Sequence, residues 1–374
     1  MQALLNPLNP WSYTLPGKML GAAADIWSGV VQRRTKAAWN IAATIETVDT
    51  KPFGNLVKFS RPRAGGAIAP RVLLAAPMSG HFATLLRGTV EELVREHDVY
   101  VTDWTDARDV PLAAGPFDFD DYIAYMIDYL HLLGPDVHAI AVCQPGPAVL
   151  AAVAIMAAAN DPAQPRSMVM MGAPIDASIS PTAPTELAKE KPLSFFSERL
   201  TTIVPRWYAG AGRRVYPGFL QIGAFLSMNA SRHLDAHVEM FNDLVRGDET
   251  GAHRRRDFYD EYFTVMDIPA EFYVQTVASV FQKYDLARGT QTWRGRHVDP
   301  SAIERTALMT VEGENDDISA PGQTYAAQNI CANIPEDRRD HLLEPGVGHY
   351  GIFTGRHWRD SIAPRIAAFI RASA

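Results

Sequence analysis

The stretch His138-Ala139-Ile140-Ala141-Val142-Cys143-Gln144-Pro145-Gly146-Pro147-Ala148-Val149-Leu150 constrains this chain more than any other. Its apolar opening suits a buried strand, and Ala148 to Ala159 reads as a helix. Between the two lie Cys143, Pro145, Gly146 and Pro147, so the strand must reach the helix through a tight turn. A reactive side chain on such a turn is lifted clear of the sheet, the layout usually written G-x-S-x-G. Here the frame is Ala141-Val142-Cys143-Gln144-Pro145, with Gly146 one place late. The match is to the shape of the motif and not to its letters. A buried, inert thiol is the competing reading, since free Cys is among the most buried residue types.

The rest of the chain supplies a sheet for that turn. Strand-like runs occur at residues 56–59, 71–76, 98–102, 137–142 and 167–171, with helical patterns between them. Residues 118–133 carry Tyr122, Met126, Tyr129, Leu130 and Leu133 on one helical face. Alternation of this kind implies a mostly parallel sheet with helices on both faces. It stops between Pro174 and about Arg296, a stretch rich in aromatics and Met that reads as largely helical at 219–228, 237–245 and 272–283. The sheet pattern resumes at 306–311 and 340–343. The expected fold is an α/β-hydrolase: a core over 55–175 and 300–374, and a largely helical cap inserted over 176–299. Residues 1–54 form an N-terminal helical extension on this reading. Ala22, Ile26, Val30 and Val31, then Trp39, Ile41, Ala42 and Ile45, recur there at helical spacing.

Bulk properties exclude several function classes. The 374 residues are 47% hydrophobic and 21% charged, ample for a large core. A net charge of −7 argues against a nucleic-acid partner, despite the local run Arg254-Arg255-Arg256. No C-x-x-C or H-E-x-x-H spacing supports a metal, and no G-x-G-x-x-G or P-loop follows a strand, so no cofactor is expected. Cys143 and Cys331 read as free thiols of a reducing compartment. The opening Met1-Gln2-Ala3-Leu4-Leu5-Asn6-Pro7 lacks the form of a signal peptide, and no apolar run is long enough for a transmembrane segment. A cytoplasmic protein is expected.

A hydrolase of this architecture takes its acid and its His downstream of the nucleophile, in that order. The acid lies in Glu312-Gly313-Glu314-Asn315-Asp316-Asp317-Ile318, just past a strand. Gly313, Asp316 and Ile318 fit a G-x-x-D-x-I pattern, which favours Asp316 and keeps Asp317 as the alternative. The His is His349 in Gly346-Val347-Gly348-His349-Tyr350-Gly351, where flanking glycines let the backbone turn and present the ring to the sheet edge. Thiolate is the attacking species. His349 would take the thiol proton and return it to the leaving alcohol, while the acid holds its tautomer. That role sets an expected loss of activity as His349 protonates near the ordinary value of about 6.5. The oxyanion hole would join the backbone N–H of Gln144 to that of Met78 or Ser79, in the loop after residue 76.

Four separated motifs then carry a resemblance. They are Ala141 to Gly146, Pro77-Met78-Ser79-Gly80-His81-Phe82-Ala83-Thr84-Leu85-Leu86-Arg87, Thr310 to Ile318, and Gly346 to Gly351, with an opening of the type Asn9-Pro10-Trp11. Together they resemble the bacterial intracellular poly(3-hydroxybutyrate) depolymerases, over most of the chain. The resemblance implies a Cys nucleophile in place of Ser. It further implies hydrolysis of amorphous storage polyester at intracellular granules, releasing 3-hydroxybutyrate or oligomers. Two other functions compete with this reading. A polyhydroxyalkanoate synthase-like acyltransferase also uses Cys, but in a G-x-C-x-G-G box where this chain has Ala141 and Pro145. A non-catalytic granule-associated protein has no need of the Cys143, Asp316, His349 order. The aromatics Trp207, Tyr208, Phe219, Phe225, Phe241, Phe258, Tyr259, Tyr262 and Phe263 are expected either to line an apolar cleft or to form the cap's own core.

Overall fold

The computed structural model describes residues 36–63, 68–218, 220, 221 and 264–373. Nearly all of them belong to one compact unit, 39–217 with 266–374. Its centre is an eight-stranded sheet built from β1 (Thr44–Lys51), β2 (Gly54–Ser60), β3 (Arg71–Ala75), β4 (Asp98–Trp104), β5 (Val137–Val142) and β6 (Ser167–Met171). After β6 the chain leaves the sheet and makes five short strands. β7 (Thr202–Ile203), β8 (Arg214–Tyr216) and β9 (Ile268–Pro269) form a small sheet, and β10 (Thr292–Trp293) and β11 (Arg296–His297) form a hairpin. It returns to the central sheet as β12 (Ala307–Gly313) and β13 (Arg339–Glu344).

The order in the large sheet is β1-β2-β4-β3-β5-β6-β12-β13. β2 runs antiparallel to β1 and to β4, and every pair from β4 to β13 is parallel. All parallel strands therefore end on one edge. The loops that follow β3, β5, β6, β12 and β13 meet there, which is where open α/β sheets build their sites.

Side-chain alternation along the strands creates two apolar faces. Val72, Leu74, Val99, Val101, Ile140, Val142, Val169, Met171, Met309 and Val311 pack on one face. They meet Val90 and Leu93 of helix α1 (Arg87–Leu93) and Ile366 and Ile370 of the last helix (Ala363–Ala372). Leu73, Ala139, Ala141, Met168, Met170 and Leu308, of opposite parity, are equally buried. Helices α2 (Phe119–Leu133) and α3 (Gly146–Ala158), which add nothing to the first cluster, take that second face. The apolar positions of α2 recur every three to four residues; Asp118 and Asp121 cap its start reciprocally, and Gly134 at φ +71° ends it. In α3 nearly every side chain is buried, because Ala at most positions lets sheet and neighbouring helix approach on all sides.

Two expectations from the sequence change here. The spacing of Trp39, Ile41, Ala42 and Ile45 suggested a helix, but residues 36–43 are not helical and Thr44–Lys51 is the edge strand β1. Thr44, Ile45, Thr47, Val48 and Thr50 are β-branched and fit a pleated edge better than a helical turn, so the local preference wins over an apolar period only one turn long. The first 35 residues of that extension lie outside the described residues. Second, the excursion between β6 and β12 is mixed where it is described. Helices Ala183–Glu190 and Ala270–Thr276 flank the small antiparallel sheet. The helical readings at 222–228 and 237–245, and the aromatics from Phe219 to Phe263, lie outside the described residues. Of the nine aromatics named above, Trp207 and Tyr208 are described; Trp207 is 73% exposed. Among the described residues no helix is long and apolar enough to cross a membrane.

One polar pair is sealed inside the sheet. His138 of β5 faces Ser167 of β6 in register, with Nδ1 and Oγ 2.8 Å apart. Burial, helped by the neighbouring His97 and Arg166, pushes His138 down to about 4. A histidine depressed in the fold costs stability as pH falls from its unfolded value of about 6.5 towards 4, and the loss saturates below that, at about 3 kcal/mol. The His138→Gln variant should lose less stability than the wild type between pH 6.5 and pH 4, read from urea midpoints across that range; parallel curves would show that His138 carries no such cost.

Candidate active site

The turn after β5 has a left-handed backbone at Cys143, φ +67°. A non-glycine residue adopts this conformation at a cost of roughly 1–3 kcal/mol and holds it where the surroundings dictate it. Here the Cys143 N–H donates to the carbonyl of Met171 at 2.7 Å, and the Gly146 N–H donates back to the Cys143 carbonyl at 3.1 Å. Strand β6 and the start of α3 thus grip both sides of the residue, and its thiol stays half-buried. Gly146 has its own reason to be glycine. A Cβ there would lie 2.4 Å from the Cβ of Ala173, in the loop after β6. The glycine that looked one place late is where the helix passes closest to its neighbour.

Asp316 and His349 arrive from the loops after β12 and β13. His349 Nδ1–H donates to Asp316 Oδ2 at 2.7 Å, and both residues are only 4% exposed. The other carboxylate oxygen of Asp316 accepts the backbone N–H groups of Ile318 at 2.9 Å and Ser319 at 2.8 Å, which fixes its orientation. Cys143 lies beside the same imidazole, close enough for its charge to act on the ring. The three side chains singled out in the sequence therefore meet, and Asp316, not Asp317, is the carboxylate bonded to the ring. Burial opposes charge on His349, but Asp316, through its charge and its hydrogen bond, and Cys143, through its charge, outweigh it and hold the ring well above the ordinary histidine range. The ordinary value of about 6.5 expected from sequence is displaced upwards, because the carboxylate beside it is fully sequestered from water.

Several residues that hold this arrangement carried no local signal. Gly172 follows β6 with φ +52°, and a Cβ there would meet Ile352 Cδ1 at 2.6 Å, His349 Cε1 at 3.1 Å and Asp316 Oδ2 at 3.3 Å. It is the floor on which the His–Asp pair rests. Glu312, buried at the end of β12, accepts the N–H groups of Gly322, Thr324 and Tyr325 at 2.8–2.9 Å and so folds the Asp316 loop back on itself. Thr324 Oγ1 then accepts the Ala173 N–H and donates to the Ala173 carbonyl, tying that loop to the one after β6.

The loop after β3 is braced equally firmly. The carbonyl of Ala76 accepts from Trp104 Nε1 at 2.8 Å and from the Tyr122 hydroxyl at 3.2 Å, while the Ala76 N–H donates to Thr102 Oγ1. Of the three expected oxyanion donors, Gln144 has a backbone N–H with no other acceptor among the described residues. Met78 differs, because its N–H donates to the side-chain Oε1 of Gln144 at 3.1 Å. Ser79 N–H is left as the second backbone donor of the pair considered. Among the described residues no group of three His, Cys, Asp or Glu side chains is arranged to hold a metal ion.

The family description PHB de-polymerase C-terminus matches residues 172–374, just over half of the chain. The chain belongs to the PHB de-polymerase family. It is a carboxylic ester hydrolase on an α/β-hydrolase fold. The chain matches no curated protein at a significant level. Among solved structures it is similar to a thermophilic esterase from Thermogutta terrifontis, with 14% identity, a TM-score of 0.44, and coverage of 88% of this chain and 97% of that one. It is also similar to 2-hydroxy-6-oxo-6-phenylhexa-2,4-dienoate hydrolase from Rhodococcus sp. strain RHA1, with 13% identity, a TM-score of 0.49, and coverage of 88% and 100%. A third is naproxen esterase from Bacillus subtilis, with 12% identity, a TM-score of 0.46, and coverage of 94% and 96%.

Two outcomes follow from this geometry. Replacing Gly172 by Ala should push the His349–Asp316 pair from its place and cut ester hydrolysis on the order of 10²-fold, since displacement near 1 Å costs that much; wild-type turnover in a folded Gly172→Ala protein would refute the floor role. In Asp316→Asn the carboxylate that raises His349 is gone while burial, which lowers it, stays. The His349 titration midpoint, followed by imidazole NMR, should therefore move down from its wild-type position, and a fixed midpoint would show that Asp316 does not set it.

Proposed function

We propose that this chain cleaves the ester bonds of amorphous poly(3-hydroxybutyrate) with a Cys143–His349–Asp316 triad, through an acyl-thioester. The observation that carries the reading is the buried hydrogen bond from His349 to Asp316, with Cys143 beside the same ring.

Because Asp316 holds Nδ1–H, the opposite nitrogen of the ring is left to serve Cys143. The thiol proton rests on His349 Nε2, whose ring is held well above the ordinary range, and the Cys143 thiolate attacks the ester carbonyl carbon. A C–S bond forms, and the carbonyl electron pair moves onto oxygen, where the backbone N–H groups of Gln144 and Ser79 stabilise it. Collapse of that intermediate breaks the ester C–O bond, and the departing alkoxide takes the proton from His349. Water then attacks the thioester, gives its proton to the same nitrogen, and the acid leaves as Cys143 returns to its thiolate. Asp316 offsets the charge on the ring at each stage.

The storage polyester granule of the cytoplasm is the substrate on this reading. Its support is the family, together with motifs at the elbow, the β3 loop, the acid loop and the His loop that resemble the intracellular members. An acyltransferase reading gains nothing from the elbow, where Ala141 and Pro145 stand in place of the paired glycines.

Replacing Cys143 by Ala should abolish acid release from amorphous polymer, measured by titration, while the thermal midpoint stays near that of the wild type. Persistent hydrolysis would remove Cys143 from the mechanism. Cys143→Ser should lose most activity but not all, because a hydroxyl relies far more on the base than a thiol does; full retention would count against attack by sulfur.

A further inference from the structure

We infer that the side-chain amide of Gln144 is a catalytic hydrogen-bond donor to the substrate carbonyl oxygen, beside the backbone N–H of the same residue. This rests on Cys143 being the nucleophile. The amide spans the two segments that build an oxyanion site in this fold, the turn at Cys143 and the loop after β3. Its Oε1 accepts the Met78 N–H at 3.1 Å. That bond settles which end of the amide is which, because an N–H cannot donate to an amide nitrogen. Nε2 is therefore the other end, and it is buried with no hydrogen-bond partner among the described residues, in a residue only 8% exposed.

A buried donor without an acceptor is costly, and such groups are retained where function supplies the missing partner. One residue from the attacking sulfur, the acceptor that chemistry brings is the carbonyl oxygen as it gains the electron pair. Water does not compete for a buried Nε2, so the bond made there is worth more than in solvent. Met78 acts at one remove. Its N–H is engaged by Oε1, so it does not reach the substrate; it orients the amide and polarises it towards donation. As the C–S bond forms and the carbonyl pair moves to oxygen, the Nε2–H and Gln144 N–H bonds shorten. They relax when the ester C–O bond breaks and the carbonyl re-forms.

The test uses the full chain with p-nitrophenyl butyrate and with amorphous poly(3-hydroxybutyrate). Gln144→Ala removes both ends of the amide, whereas Gln144→Glu keeps an oxygen for the Met78 N–H and removes the donor. Both variants should lose on the order of 10²–10³-fold in kcat with little change in KM. Alkylation of Cys143 by iodoacetamide, which forms no oxyanion, should run near the wild-type rate in Gln144→Ala. Wild-type kcat in Gln144→Glu would mean that the side chain only ties the loop, and would overturn the inference. Unchanged or faster turnover in Gln144→Ala would overturn it too, as would alkylation that falls in step with kcat. If Cys143→Ala is inactive while the Gln144 variants are normal, only this inference fails; if Cys143→Ala stays active, the triad fails first.

Discussion

A bond between an imidazole and a carboxylate, both out of reach of water, governs the arrangement around it. His349 and Asp316 are joined at 2.7 Å, and each charge is tolerable there only because the other is present. The chain meets that demand largely through backbone N–H groups. Two N–H groups of the Asp316 loop hold the carboxylate, Glu312 shapes the loop through three more, and Gly172 leaves the space in which the pair lies. Removing the carboxylate alone strands a buried ring, so the pair behaves as one unit.

The same economy appears at the turn. The strain at Cys143 is held by a hydrogen bond to β6 on one side and by α3 on the other, and α3 comes close because Gly146 has no side chain. Sheet order matters here, because β5 and β6 are neighbours and β12 lies next to β6. Cys143 and Asp316 therefore come from loops separated by a single intervening strand, and Gly172 follows directly on that strand.

Much of this was legible along the chain. Strands β2 to β6 and α2 announce themselves through period and composition, and the elbow, Asp316 and His349 through glycine, order and spacing. What stayed hidden depends on partners distant in sequence. Gly172 looks like any residue after a strand until the ring of His349 is above it. Glu312 sits among four acids in six positions, and only burial separates it from solvated neighbours. The Gln144 side chain has meaning only once Met78, 66 residues earlier, lies against it. At β1 the reading erred because a few apolar residues at helical spacing were weighed above a run of β-branched ones.

The layout also sets an order of events during synthesis. The sulfur is made about two hundred residues before the imidazole, with the whole excursion from β6 to β12 in between. A nascent chain can pair β3, β4, β5 and β6 and form the elbow, yet its thiol then has no base and its acid has not been made. On the proposed mechanism, hydrolytic competence therefore arrives abruptly, with the loop after β13, and not gradually as the sheet grows. Until then the growing polypeptide carries a thiol that is chemically quiet towards esters, so a half-made molecule does no work on its substrate.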